Sequence, residues 1–183
     1  LAKSEVALDP RNALVVVQPN IPQNMKWDPV ALQNNFEKIV SLSRAATFAD
    51  PQPENIFIVW PETAISPTVY TKPENMDAIR TMLKSYTKSN AYLVTGVLLR
   101  RGETKEDMTF SNSVILLDKD MSARDAYNKS HLVPFGEFIP FQKWIPLKPV
   151  AAFKGFEPGK GATTIRDGDI PAFSPLICYE VIF

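Results

Sequence analysis

Cysteine is almost missing from this chain: Cys178 is the only one in 183 residues. No disulfide can form within the chain, and cysteine usage leaves the redox compartment open. Histidine is equally scarce, with His131 alone. One cysteine and one histidine leave little for a zinc centre, although carboxylates could in principle bind other ions. Charge of either sign is not in excess, since 20 Lys and Arg balance 20 Asp and Glu. That balance removes the global field that recruits nucleic acid. Long apolar runs are missing too. Ala13 to Val17, Ile56 to Trp60 and Ala91 to Leu99 all fall short of the roughly 18 to 20 residues a membrane helix needs.

The composition that remains is that of a folded domain, with 45% hydrophobic and 22% charged residues. The length suits a single domain with a real core. The chain opens on Leu1 and ends on the apolar Val181-Ile182-Phe183. Both ends look cut, so we expect residues 1–183 to be a piece of a larger protein.

Ala13 to Val17 reads as a strand buried on both faces, ending at Gln18-Pro19. Asp28-Pro29 reads as a helix start, with Leu32, Phe36, Ile39, Val40 and Ser43 at helical spacing to about Phe48. Ile56 to Trp60 is a second buried strand, stopped by Pro61. A helix from Pro73 places Met76, Ile79, Leu83 and Tyr86 on one face. Tyr92 to Leu99 and Ser113 to Leu117 read as strands joined by a charged hairpin-like loop, Arg100 to Asp107. Ala126 to Val133 is the expected fifth strand. The alternation predicts α/β layers, a mixed sheet backed by helices.

Phe135 to Pro158 combines breakers (Pro140, Pro146, Pro149, Gly155) with Phe135, Phe138, Phe141, Trp144, Ile145, Leu147, Val150, Phe153 and Phe156. No long helix or strand should form there. So apolar a loop either folds back over the core or presents a greasy surface.

Cys178 follows Pro175-Leu176-Ile177, which reads as the end of a buried strand, where ligands bind in sheets flanked by helices. On an extended strand Glu180 would share its face. A free cysteine is often only a small buried hydrophobe. As a nucleophile it needs a base or a nearby cation to form the thiolate. His131 is one candidate. Others are Lys129, on the same expected strand face as His131, then Glu137 after a turn, and Glu62 at another strand end. Each also has a bland reading: Glu62 as a helix N-terminal charge, Lys129 as a solvated cation, His131 as a structural residue.

Three segments in this order, WPETAI from Trp60, YNKSHLVPFGEFIP from Tyr127 and ICYE from Ile177, resemble the signature segments of the nitrilase, or carbon–nitrogen hydrolase, superfamily. In detail they resemble its apolipoprotein N-acyltransferase branch, as do Gln18 to Asp28 (QPNIPQNMKWD) and Phe110-Ser111-Asn112-Ser113. The resemblance implies an α-β-β-α sandwich with mixed sheets flanked by helices. Residues 1–183 would be a partial catalytic domain of that kind, with a membrane domain and the last part of the fold lying elsewhere. The implied chemistry needs neither cofactor nor metal. It implies Glu62 as general base, Lys129 as cationic stabiliser and Cys178 as nucleophile, with Glu137 in support and Tyr179 and Glu180 shaping the pocket. A carboxylate taking the thiol proton beside a compact ammonium fits that chemistry.

The implied reaction moves an acyl chain from a phospholipid, through a cysteine thioester, to the α-amino group of a diacylglyceryl-cysteine lipoprotein. The implied location is the periplasmic side of a bacterial inner membrane. Trp27, Phe138, Phe141, Trp144 and Phe153 are then candidates for lipid or membrane-surface contact. Two alternatives stand beside this one. A soluble amidase could use the same triad, and a non-catalytic lipid- or protein-binding domain would have no need of a reactive thiol.

Overall fold

The computed structural model describes residues 9–104, 107–138, 155–168 and 170–183. Five strands form one mixed sheet in the order β1-β2-β3-β4-β5. They are β1 (Asn12–Val16), β2 (Asn55–Val59), β3 (Asn90–Arg101), β4 (Thr109–Leu117) and β5 (Ala123–Asn128). The pairs β1–β2 and β2–β3 are parallel, and β3–β4 and β4–β5 antiparallel. Helix α1 (Leu32–Arg44) joins β1 to β2; α2 (Pro67–Tyr70) and α3 (Pro73–Lys84) join β2 to β3.

The helices cover one face of the sheet. Phe36, Ile39 and Val40 of α1 and Ile79, Met82 and Leu83 of α3 pack with Ile56, Ile58, Ala91 and Leu93 into the main core. Each such side chain contributes roughly 1.5–3 kcal/mol when fully buried. On the opposite face, Phe57 and Leu116 pack with Ile165 and Ile170, so the chain beyond residue 155 returns to cover part of it.

Two polar devices fix this arrangement. Asn12, Asn55 and Asn90 lie in register at the entrance to the three parallel strands, and their side chains bond in a row at 3.0 and 3.2 Å. At the far end, the Trp60 indole donates to Ser43 Oγ at 2.8 Å, which donates on to the Ile39 carbonyl. Tyr86, just past α3, donates to the Ser43 carbonyl, so the end of α1 is clasped to the chain following both β2 and α3.

Several expectations change. β1 is an edge strand. Ala13 and Val15 pack against the helix-covered core, while Leu14 and Val16 on its other face are 67% and 69% exposed, so only one of its faces is buried. Helix α1 begins at Leu32 and stops at Arg44. Asp28 instead organises the turn before it, its carboxylate accepting from Val30 N at 2.9 Å. The fifth strand ends at Asn128, so Lys129 and His131 do not share a strand face. No strand precedes Cys178 either. The chain from 174 to 177 is irregular, and Cys178–Ile182 is a 3-10 turn. Glu180 is therefore not on a common strand face with Cys178.

Candidate functional site

The three parallel strands place their carboxyl ends together, and Glu62 lies just beyond the end of β2. The chain is guided there by backbone bonds: Trp60 N donates to Val94 O at 2.9 Å and Ile65 N to Gly96 O at 3.1 Å. These bonds lay residues 61–65 across β3, and Gly96 is what permits the approach. A Cβ there would come within 2.6 Å of Glu62 Cα, Pro61 O and Thr63 N. Thr63 itself adopts φ 52°, a left-handed conformation that turns the chain sharply after the glutamate.

Asn112, in the middle of β4, donates from Nδ2 to Glu62 Oε1 at 2.7 Å. Its carbonyl accepts from Lys129 N at 2.8 Å, which fixes the residue just after β5. Lys129 is 1% exposed. Its ammonium is held by both carboxylate oxygens of Glu137, at 2.8 Å. Glu137 in turn accepts from Val133 N at 2.8 Å, so the pair closes the 129–137 loop on itself. A buried lysine needs such a partner, because an unpaired charge away from water is costly. Gly159 seals the other side: its N donates to Lys129 O at 2.8 Å, and a Cβ would fall 2.0 Å from Asn128 O.

Cys178 opens the 3-10 turn with φ 55° and is exposed. A side chain in that conformation stands out from the turn, at a backbone cost of order 1–3 kcal/mol. Glu180 anchors the turn from below and is 2% exposed. Its Oε1 accepts from Tyr127 Oη at 2.6 Å, Ser130 N at 2.7 Å, Ser130 Oγ at 3.1 Å and His131 N at 3.0 Å. Its Oε2 accepts from Ile177 N at 2.9 Å. Burial pushes this carboxyl upward, but the bonds from Tyr127, His131, Ile177 and Ser130 outweigh it and hold it below the ordinary glutamate value. Burial and the Glu180 charge together raise the Tyr127 phenol, which stays a donor.

Glu62, Asn112 and Cys178 line one cavity of about 630 Å³. Its walls are mostly apolar, with Leu14, Phe57, Val94, Phe173 and Leu176 among them. A second, smaller cavity of about 230 Å³ also borders Glu62, and Trp27 and Ser66 line it. Trp27 is 48% exposed, and Phe138 is half-buried. Phe141, Trp144 and Phe153 lie outside the described residues.

Of the residues expected from sequence, Glu62 and Cys178 thus border one cavity, and Lys129 is joined to Glu62 through Asn112. Tyr179 is 60% exposed and not in the cavity wall. Glu180 acts under the turn. His131 is exposed and stacks on Phe183 with ring centroids 4.6 Å apart, so it does not line the cavity with Cys178. Among the described residues no group of three or more His, Cys, Asp or Glu could hold a metal ion. Sequence reasoning gave no role to Asn112, Gly96 or Tyr127. A glycine interrupting the β-branched run of β3 was the available signal for a close backbone approach.

Residues 14–183 match the family model for carbon-nitrogen hydrolase. Among curated relatives, the chain is similar to an apolipoprotein N-acyltransferase of Brucella suis, 34% identical over all of this chain and 35% of that protein. It is also similar to those of Shewanella oneidensis, 33% identical over 93% of the chain and 33% of that protein, and of Rickettsia typhi, 30% identical over 92% and 32%. The chain therefore spans about a third of the length of these relatives. Among solved structures, an amidase from Nesterenkonia sp. superposes with a TM-score of 0.53 at 18% identity, covering 99% of this chain and 61% of that one. A nitrilase-superfamily protein of branch 10 from Saccharomyces cerevisiae gives 0.51 at 20% identity, over 83% and 52%. At such identities the likeness establishes the α/β nitrilase fold alone.

Proposed function

Since the chain belongs to the carbon–nitrogen hydrolase family, we propose that it is the acyl-transferring part of an apolipoprotein N-acyltransferase working through a thioester on Cys178. The observation that carries this reading is an exposed thiol and a glutamate on the rim of one large apolar cavity. A small hydrophilic amide needs no such wall, whereas an acyl chain does. The names of relatives that cover the whole chain support the same reading.

In the first half-reaction Glu62 takes the Cys178 proton, and the thiolate attacks an ester carbonyl of a phospholipid. The Sγ–C bond forms, the ester C–O bond breaks, and the leaving alkoxide receives the proton from Glu62. In the second, the α-amino group of a diacylglyceryl-cysteine polypeptide loses a proton to Glu62 and attacks the thioester. The amide bond forms, the C–Sγ bond breaks, and the thiol is restored by the same proton. Lys129, buried and paired with Glu137, provides the positive field for thiolate and oxyanion. Glu180 holds the turn that presents the sulfur.

Such substrates place the site at a membrane surface. Among the described residues no helix is long and apolar enough to cross a membrane. Contact with lipid falls to Trp27 and Phe138, and to Phe141, Trp144 and Phe153; the periplasmic face of the inner membrane is the location this reading requires. The test is transfer itself. The full-length protein is supplied with phosphatidylethanolamine and a synthetic diacylglyceryl-cysteine peptide, and the peptide is weighed by mass spectrometry. Gain of one amide-linked acyl chain, lost in Cys178→Ala, is expected. Hydrolysis of simple amides with no transfer to the peptide would replace this reading with an amidase.

A further inference from the structure

Asn112 holds a place that the reaction scheme above leaves unused. It is 2% exposed and stands on β4 opposite Leu98. Among the described residues it is the donor to the Glu62 carboxylate, through Nδ2 at 2.7 Å. Its own Oδ1 is buried with no hydrogen-bond partner among the described residues. The amide is oriented by charge: an ionised carboxylate can only accept, so the NH2 must face Glu62 and the carbonyl must face away. The protein leaves a buried acceptor unpaired to keep that orientation, which buried polar groups rarely are.

Protonation of Glu62 changes which end of this amide the side chain can bond. A carboxylic acid carries an O–H donor, and a half-turn of the side-chain amide exchanges NH2 for C=O with almost no change of shape. We infer that Asn112 is a positioning residue whose amide follows the proton on Glu62, donating through Nδ2 to the carboxylate and accepting through Oδ1 from the acid. Either protonation state of Glu62 is then hydrogen-bonded in one place, so the group can take the thiol proton and return it without moving. The backbone carbonyl of the same residue accepts from Lys129 N at 2.8 Å, so cation and base are kept in one frame. The inference rests on Glu62 acting as the base for Cys178, as proposed above.

The experiment is the rate at which iodoacetamide alkylates Cys178 in the full-length protein, followed across the neutral pH range. Wild type is compared with Asn112→Asp and Asn112→Leu, each checked for cooperative thermal unfolding. Asn112→Leu, similar in size but unable to bond either state, should slow alkylation on the order of 10²-fold at neutral pH. Asn112→Asp sets two carboxylates to share one proton, and its acid limb should move about one unit or more to higher pH. A residue that merely fills space would leave that limb in place. Folded variants that alkylate within about twofold of wild type, with an unmoved limb, would overturn the inference. Either variant decides if the other fails to fold, and Asn112→Ser decides if both do. Alkylation needs no acyl donor. A protein that alkylates as expected yet transfers no acyl chain would therefore count against the acyltransferase reading alone.

Discussion

Gly96 shows how much of this site hangs on single residues. Nothing about its strand needs a glycine except the loop lying on it, where a Cβ would sit 2.6 Å from three backbone atoms of residues 61–63. Gly96→Ala should displace Glu62 and lower Cys178 alkylation on the order of tenfold or more, while the sheet still forms. Alkylation kinetics beside far-UV circular dichroism check both halves. The Lys129–Glu137 pair is a second such case, with side chains 1% and 13% exposed. Glu137→Ala would strand a buried ammonium and should cost about 3–5 kcal/mol, measured by chemical denaturation. Cys178, at φ 55°, is strained as any non-glycine residue is there. Cys178→Gly should melt higher than Cys178→Ala although neither can be acylated. Equal melting temperatures would remove the strain argument.

At the scale of elements, the strands and α3 were legible because their signals are local. β-branched runs stopped by proline gave β1 and β2, and a proline at the first helical position gave α3. The sequence segments around Glu62, Lys129 and Cys178 were legible too, although their geometry was not. Whether Lys129 belongs to β5 depends on where β4 stops pairing. That point is set by the Asn112–Lys129 backbone bond and by Gly159 pressing from a distant segment. The turn at Cys178 reads locally as a strand. It becomes a 3-10 turn because Glu180 finds donors on residues 127–131, some fifty positions away. The exposed face of β1 was hidden for the same reason, since an apolar run does not reveal which of its faces another segment covers. The asparagine row across β1, β2 and β3 is the element-scale device with the clearest test. Asn55 is its middle member, and Asn55→Leu would leave Asn12 Oδ1 and Asn90 Nδ2 without it. A loss of about 1–3 kcal/mol is expected, read from thermal or denaturant unfolding.

Over the whole molecule, the site is a junction between covering segment and sheet, and Glu180 is the fastener. Its carboxyl is held below the ordinary value of 4.5 in the folded state. Its contribution is therefore complete above that value and is lost as pH falls through the lower folded value. Acidification through that lower value should release residues 177–182, seen as faster amide exchange there. Glu180→Gln should release them at neutral pH as well, because its NH2 would face one of the donors that both carboxylate oxygens now satisfy.

The central claim is that Cys178 carries an acyl chain. Intact-protein mass spectrometry of the full-length protein after incubation with phosphatidylethanolamine tests it most directly. One added acyl mass, removed by hydroxylamine and absent in Cys178→Ala, is the predicted result. A folded wild-type protein that gains no mass across several phospholipids, or gains it equally without Cys178, would contradict the account.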